Sequence, residues 1–378
     1  MFAKIFSFKF IIRRPRAADV IIYDRVGSGI LRRCLRGVGI WTVLDVRRVL
    51  YIHPEVLAKW IGLLIHRRFA TSPYERVASL KVMNEYAALI LSKPSVVMTY
   101  GENSERFGIL SQMLESAHFM GIQNGLRGPR PEDIKFRLAL KNCYCFGQDT
   151  IDKYKGSHQK INKFVITGSL KAALFASTEK MNPTGQFAIC LISQYRPARF
   201  EDSLPTLKSI TEVQIQWVVK YCEKQELKFC VAGSCKENNF LSEYRYFRTL
   251  IGEHDFVFFP NDDNGLSSYK AMHRSEVSIT NHSTIGFEGL SMGLKVLFVN
   301  PTDDQYFSIP ALTDNEMWRL EGSTTEYDKF ARRVHEIRKM NSKEWVEQTK
   351  RYAKYFVSNE EAPADEIIRS KVRKTVGN

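Results

Sequence analysis

The sequence predicts an α/β protein with two successive doubly wound sheets that face each other across a cleft, and with C-terminal helices packing back on them. A chain of 378 residues favours two domains. Short apolar runs alternate with helical patterns in both halves, which is typical of parallel sheets covered by helices. The polar segment Thr178–Gln186 separates the two series. We therefore expect a first domain at residues 1–177, a second at 187–340, and helices with a tail at 341–378.

Six apolar runs of the first half predict strands that end in glycine or polar residues. They are Ala18–Tyr23, Trp41–Val46, Ser95–Tyr100, Phe119–Gln123, Asn142–Gly147 and Phe164–Thr167. Helical patterns separate most of them, at Ile30–Leu35, Glu55–Phe69, Tyr74–Ser92, Arg106–Ala117 and Gly147–Tyr154.

The second half repeats this alternation. Strands are predicted at Phe187–Ser193, Lys228–Ala232, Phe256–Phe259, around Val277 to Ile279, and at Lys295–Val299. Helices are predicted at Ile210–Glu223, Glu243–Leu250, Lys270–His273, Tyr327–Met340 and Ser342–Val357, and residues 362–378 predict a surface helix with a frayed tail.

The segment Glu276–Asn300 predicts a strand, a tight turn, a helix and a further strand. Ser283 and Thr284 stand where the helix begins, and a helix N-terminus with nearby hydroxyl groups can bind phosphate. Glu288 lies one turn further along, on the same helix face as Thr284. We expect its carboxylate to accept a hydrogen bond from a ribose hydroxyl beside the phosphates.

The formal net charge of +14 indicates a polyanionic partner. Nucleic acid, an anionic membrane surface and phosphorylated substrates all fit this charge. The absence of zinc-finger, RNP and basic heptad patterns disfavours nucleic acid. The early arginines alternate with apolar residues, which favours an anionic membrane surface.

The sequence also gives expectations about compartment and cofactors. The first dozen residues lack the pattern of a signal peptide, and no apolar run is long enough to span a bilayer. Seven cysteines, mostly in apolar runs, favour a reducing cytoplasm. With no D-x-D motif and no zinc-ligand spacing, we expect no metal and no cofactor besides the nucleotide substrate.

Several short motifs occur in an order that resembles a known bacterial family, over about residues 18 to 300. They include I-I-Y-D-R-V-G-S from Ile21, I-Q-N-G-L-R-G from Ile122, C-F-G-Q-D-T-I-D-K-Y from Cys145, V-I-T-G-S-L-K from Val165 and N-H-S-T-I-G-F-E-G-L from Asn281. The chain resembles the surface carbohydrate biosynthesis proteins. This family is similar to the Kdo transferases of capsule and lipopolysaccharide and, more distantly, to the CDP-glycerol glycerophosphotransferases. The resemblance implies the GT-B fold, with two Rossmann-like domains.

The resemblance implies sugar transfer from a nucleotide donor to a surface glycan or lipid-linked acceptor, on the cytoplasmic face of the bacterial membrane. An ulosonic acid such as Kdo, carried by CMP, is its more specific form. Ser283 and Thr284 would hold the donor phosphate and Glu288 the ribose. Arg196 would neutralise the leaving phosphate. Ser234, Ser268 and Tyr269 would add phosphate or base contacts.

Three carboxylates at predicted strand ends are candidates for the catalytic base or nucleophile: Asp24, Asp45 and Glu102. Asp24 is preferred because Gly27 and Ser28 would let the backbone approach a ligand, and Glu102 is second. His282 is a further catalytic candidate, stabilising the leaving phosphate or orienting a carboxylate. For the acceptor we predict contacts from Arg25, Asn124 and Arg127.

Two alternatives remain open from the sequence. The first is a polyol-phosphate transferase that resembles the CDP-glycerol enzymes. The second is a non-catalytic basic scaffold on a membrane or on nucleic acid.

Overall fold

The computed structural model describes residues 9–66, 73–128, 130–178, 184–197, 205–235, 237–262, 265–309, 312, 316–359 and 362–377. The end of the predicted helix Glu55–Phe69 and most of the predicted linker Thr178–Gln186 lie outside the described residues. The three-domain division at 1–177, 187–340 and 341–378 therefore stays a prediction.

A six-stranded parallel sheet forms the centre of the first half. The strands of this half are β1 (Lys9–Ile11), β2 (Val20–Tyr23), β3 (Trp41–Leu44), β4 (Val49–Tyr51), β5 (Val96–Tyr100), β6 (His118–Ile122), β7 (Ala139–Cys145) and β8 (Lys160–Ile166). The sheet has the order β3-β2-β5-β6-β7-β8, and β1 pairs with β4 separately. Every residue of β2 is buried, as expected for a parallel strand covered on both faces.

The second half contains another six-stranded parallel sheet. Its strands are β9 (Phe187–Ile192), β10 (Phe229–Ala232), β11 (Val257–Phe259), β12 (Ser275–Thr280), β13 (Val296–Asn300) and β14 (Arg319–Glu321). Their spatial order is β11-β10-β9-β12-β13-β14. This is the doubly wound order of dinucleotide-binding folds, in which the chain reverses direction across the sheet between β9 and β12. Such proteins bind ligands at the carboxyl ends of the two strands on either side of this reversal.

Helices cover both sheets. They are α1 (Ser28–Cys34), α2 (Pro54–His66), α3 (Pro73–Val77), α4 (Leu80–Ser92), α5 (Glu105–Met113), α6 (Gln148–Gly156), α7 (Leu170–Thr178), α8 (Pro205–Lys224), α9 (Glu237–Ile251), α10 (Ser267–His273), α11 (Thr284–Ser291), α12 (Tyr327–Lys339), α13 (Ser342–Phe356) and α14 (Ala364–Val376).

The C-terminal helices return to both halves of the chain. Helix α13 packs on α11 of the second half and on α6 of the first. Helix α14 packs on α1 and α7, and buries Ala364, Ile368 and Val372 in a core of the first half. It is therefore a packing helix rather than the predicted surface helix. The predicted fold class, two doubly wound sheets with C-terminal helices packing back, is confirmed.

Some predicted elements differ from the structure. The predicted helix Tyr74–Ser92 is two helices, because the Ser79 hydroxyl accepts from the Val82 N–H at 3.3 Å and begins α4 there. Helix α7 was not predicted, although the Ser169 hydroxyl accepts from the Ala172 N–H in its first turn. Strands β1, β4 and β14 were also missed, because three residues carry too little pattern.

Candidate functional site

A cavity of about 470 Å³ lies between the two halves and is called the central cavity here. Its volume is that of a small-molecule site. The second half contributes residues that follow β9, β10, β11 and β12, together with the first turns of α10 and α11. The lining is Asn124, Leu126, Gly128, Lys153, Lys171, Ile192, Ser193, Gln194, Arg196, Gly233, Ser234, Asn261, Ser268, His282, Ser283, Thr284, Ile285, Phe287, Glu288, Tyr306, Ser308, Ile309 and Phe356.

The turn from β12 into α11 forms one wall of the central cavity. Ser283 is the N-cap residue of α11, and its hydroxyl makes no capping hydrogen bond. The Thr284 hydroxyl accepts from the Leu126 N–H at 3.1 Å, which links this helix to the first half of the chain. A Cβ at Gly286 would lie 2.8 Å from Thr280 Cγ2, so glycine lets α11 approach β12 closely. The helix start therefore presents N–H groups and a hydroxyl to the cavity.

Glu288 is buried beneath this wall. Its Oε1 accepts from the Ser169 hydroxyl and its Oε2 from the Tyr269 hydroxyl, the latter at 2.8 Å. Burial raises the pKa of Glu288, whereas the Lys171 ammonium opposes that rise. Ser169 precedes α7 of the first half, so Glu288 joins the two halves as well as lining the cavity.

Arg196 and Ser234 also line the central cavity, after β9 and β10. Arg196 Nη1 donates to the carbonyl oxygens of Tyr195 at 3.1 Å and Ser234 at 3.0 Å. The fully buried Glu243 accepts from the Ser193 hydroxyl at 2.5 Å, and from the Ser234 and Cys235 N–H groups at 2.8 Å each. Glu243 therefore holds the loop after β9 and the loop after β10 in place.

His282, Ser268 and Tyr269 take different positions around the cavity. His282 lines it, and its Nδ1 donates to Asn281 Oδ1 at 2.8 Å. Ser268 also lines it. Tyr269 is fully buried and is absent from the lining, because its ring stacks on Phe175 and its hydroxyl is directed to Glu288. Tyr269 therefore orients Glu288 instead of meeting a ligand.

Glu102 and Arg127 form a buried ion pair beside the cavity. Arg127 Nε and Nη2 donate to the two Glu102 oxygens at 2.8 Å each, and the Tyr154 hydroxyl donates to Oε1 at 2.6 Å. Burial alone would lower the pKa of Arg127, but Glu102 and Tyr154 raise it above its usual range. Arg127 Nη2 also donates to Asn124 Oδ1 at 2.7 Å. The pair therefore holds Asn124 in place.

A second cavity, of about 430 Å³, opens at the carboxyl ends of β2 and β5 and is called the Asp24 cavity here. It shares Asn124 with the central cavity. Asp24 has the left-handed φ of 80°, which is uncommon for a non-glycine residue and often marks a functional position. Its Oδ2 accepts from Arg47 Nε at 2.8 Å. Four cationic side chains also line the cavity: Arg47, Arg48, Lys81 and Arg106.

Asp24 was preferred because Gly27 was expected to let the backbone approach a ligand. In the structure, Gly27 packs against Tyr100 instead. A Cβ at Gly27 would lie 2.6 Å from Tyr100 Cδ1, and its φ is 75°. The glycine therefore serves packing and the entry into α1. Arg25 is exposed and lines neither cavity.

The structure thus brings eight of the predicted residues to the central cavity: Asn124, Arg196, Ser234, Ser268, His282, Ser283, Thr284 and Glu288. Their individual roles stay predictions. Sequence reasoning missed Lys153, Lys171, Ser169 and Glu243. Glu243 lies within a predicted helix, and no local sequence pattern indicates that its carboxylate accepts hydrogen bonds from two loops.

Two further findings concern the described residues only. They contain no cluster of three His, Cys, Asp or Glu side chains placed to hold a metal ion. None of their helices combines the length and the apolar character that crossing a bilayer requires.

Comparisons with known proteins give the family and the fold. Residues 120–361 match the sequence model of a family described as "putative O-antigen biosynthesis protein". A search of curated proteins found no match.

Three solved structures share the fold at low sequence identity. UDP-GlcNAc 2-epimerase from Neisseria meningitidis, bound to UDP-GlcNAc, has a TM-score of 0.54 at 13% identity, over 94% of this chain and 99% of that one. The S. aureus MnaA–UDP co-structure has a TM-score of 0.52 at 11% identity, over 95% and 96%. The wall teichoic acid polymerase TagF has a TM-score of 0.54 at 9% identity, over 97% and 90%. Together with the two doubly wound sheets, these likenesses confirm the predicted GT-B fold.

Proposed function

The chain belongs to this family of O-antigen biosynthesis proteins, and on that premise we propose that it is a glycosyltransferase that moves a sugar from a nucleotide donor to a bacterial surface glycan. The observation that carries the proposal is the start of α11. It brings N–H groups and the Ser283 hydroxyl to a cavity between two sheets, and Arg196 lines the same cavity. A doubly wound sheet binds nucleotides at this position, where β9 and β12 end.

We assign the donor phosphates to the α11 N-terminus. Its N–H groups and the positive end of the helix dipole stabilise negative charge, and the Ser283 and Thr284 hydroxyls can donate to phosphate oxygens. Arg196 then neutralises the charge that develops on the leaving phosphate. Ser234 and Ser268 supply further polar contacts, and His282 is the second candidate for stabilising the leaving group.

Glu288 is our candidate for the donor ribose. Each of its oxygens accepts one protein hydroxyl, and a carboxylate oxygen can accept a second hydrogen bond. Ser169 and Tyr269 therefore fix its orientation for a ribose hydroxyl. The specific form of the proposal is transfer of an ulosonic acid such as Kdo from CMP.

The acceptor is assigned to the Asp24 cavity, which adjoins the central cavity at Asn124. Asp24 would take the proton from the acceptor hydroxyl while that oxygen attacks the anomeric carbon, and the nucleotide phosphate leaves. The four cations of this cavity favour an acceptor with an acidic group. Glu102 and Arg127 position Asn124 and make no contact with substrate.

Calorimetry with Arg196→Gln tests the donor site. We expect the wild-type chain to bind at least one of CMP, UDP and GDP, and Arg196→Gln to weaken that binding by about tenfold or more, because a charge-assisted contact to phosphate is lost. The exposed Arg332→Gln is the matched control and should change the affinity less than about twofold. Failure of all three nucleotides to bind, or equal losses in both variants, would refute the assignment.

Polyol-phosphate transfer is the second candidate function. The support for this second candidate is the fold that the chain shares with TagF over 97% of its length. Mass analysis of the product separates the two reactions, because only polyol-phosphate transfer leaves phosphorus in the transferred group.

We also propose that the first half binds an anionic membrane surface. Phe10 and Ile12 are 50% and 69% exposed, and Ile61 and Ile65 on α2 are 55% and 64% exposed. Arg13, Arg14 and Arg16 follow Ile12 in the chain. Apolar side chains among cations are typical of surfaces that bind acidic lipid, whereas none of these residues suggests base recognition.

Sedimentation with phosphatidylglycerol vesicles tests the membrane proposal. Phe10→Ser/Ile12→Ser should lower the partition coefficient at least about fivefold, because each side chain loses its transfer free energy. Leu241→Ser, which removes an equally exposed apolar residue from the second half, should leave it unchanged. Equal partition coefficients for the two variants would contradict membrane binding through the first half.

A further inference from the structure

A third cavity, of about 490 Å³, lies apart from both substrate cavities. It is bounded by α1 and α7 of the first half, by the C-terminal helix α14, and by α10 of the second half. Its cationic lining is Arg33, Arg36, Lys270, Arg369 and Arg373, and we call it the arginine cavity. Within the described part of the chain, it shares no lining residue with the central or Asp24 cavities.

The positive charge of this cavity is only partly neutralised by protein. Among the residues that the structure describes, the lining contains the carboxylates of Asp365 and Asp262. Asp365 Oδ2 accepts from Arg369 Nη2 at 2.9 Å, so these two charges offset each other. In the part of the chain that the structure describes, no carboxylate lies within ion-pair distance of Arg33, Arg36 or Arg373. Arg33 is partly buried, and Arg36 and Arg373 are exposed to solvent. Three guanidinium groups around one concave space give it a positive potential that favours an anion.

We propose that the arginine cavity is a second ligand site, for a compact phosphate-bearing molecule with at least two negative charges. Guanidinium groups bind phosphate oxygens in pairs and retain their charge at any physiological pH. A diphosphate carries enough negative charge to offset more than one guanidinium group, and arginines of both α1 and α14 line the cavity. The side-chain oxygens of Ser177 and Thr178 can accept from a ligand hydroxyl, since each donates its own proton to a carbonyl of α7.

The position of the cavity connects it physically to the central cavity. Helix α7 follows Ser169, which holds Glu288, and its far end lines the arginine cavity. Helix α10 contains Tyr269, which also holds Glu288, and Lys270, which lines the arginine cavity. A ligand there would therefore contact helices from both halves of the chain that support the central cavity. Any coupling between the two sites would be reciprocal.

Calorimetry with inorganic pyrophosphate tests the site. The wild-type chain should bind it, and Arg36→Gln/Arg373→Gln should weaken binding at this site by about tenfold or more, since two charged contacts are lost. Lys343→Gln/Lys350→Gln removes the same charge from exposed positions on α13 and should have little effect. Arg196→Gln should weaken only the pyrophosphate binding that takes place in the central cavity. Pyrophosphate binding in the arginine cavity should be unchanged in this variant.

The same variants distinguish a free phosphate ligand from a lipid headgroup. Cardiolipin vesicles supply a lipid headgroup with two phosphates. The fraction of protein that sediments with them should be lower for Arg36→Gln/Arg373→Gln than for the α13 control only if the cavity takes headgroups. Weakened pyrophosphate binding with unchanged sedimentation supports a soluble ligand. The proposal is overturned if pyrophosphate and vesicles both bind the double variant and the α13 control equally, or if Arg196→Gln alone abolishes pyrophosphate binding.

Discussion

Replacing Arg127 with alanine is expected to lower the free energy of unfolding by about 3–5 kcal/mol, because it removes one partner of a buried ion pair. The Glu102 side chain is 0% exposed, and Arg127 donates to both of its oxygens. Without the guanidinium, an ionised carboxylate would remain buried, and among the described residues only the Tyr154 hydroxyl would still donate to it from a side chain. Chemical denaturation followed by circular dichroism measures the change.

Two control variants test whether the loss of stability comes from the buried ion pair. Arg130→Ala removes a more exposed arginine that pairs with Asp133, and it should destabilise the protein far less. In Arg127→Ala/Glu102→Gln the buried charge is gone as well, so part of the lost stability should return. If Arg127→Ala and Arg130→Ala destabilise equally, the buried pair does not have the role described for it.

Replacing Asp24 with asparagine is expected to lower kcat by about 10²- to 10⁴-fold, because the acceptor hydroxyl would lose its base. Asparagine tolerates the left-handed backbone at this position, so the fold should persist. Steady-state assays on the donor and acceptor identified by product analysis measure the effect. The nucleotide affinity should stay unchanged, since Asp24 lies outside the central cavity.

Asp45→Asn is the matched control for this substitution. Asp45 follows the neighbouring strand β3 and accepts from the Arg47 N–H at 3.3 Å, but it does not line the Asp24 cavity. Its replacement should change kcat less than about threefold. A wild-type kcat in Asp24→Asn would exclude Asp24 as the base. Asp45 and Glu102 would then remain as the candidate carboxylates.

The sequence predicted those parts of the site that depend on neighbouring residues. Ser283, Thr284 and Glu288 lie within six positions, and their strand–turn–helix pattern was enough to place them at one wall. The capping serine at Ser169 and the alanine-rich run after it would also have predicted α7. These are local signals with a known mechanism.

Contacts between distant segments could not be predicted in the same way. Glu288 meets Ser169 across 119 positions, and Glu102 meets Tyr154 across 52. A glutamate with a hydroxyl or guanidinium partner looks the same in a sequence as one in solvent. Glu102 therefore looked like a catalytic candidate, and only its burial and three close donors indicate a positioning role.

A crystal structure of the chain with its tightest-binding nucleotide tests the central claim most directly. We predict density for the phosphates at the start of α11, within hydrogen-bond distance of Ser283 and the first helical N–H groups, with the ribose beside Glu288 and Arg196 on the terminal phosphate. Phosphates bound elsewhere, with the α11 N-terminus empty, would contradict both the donor site and the proposed transfer.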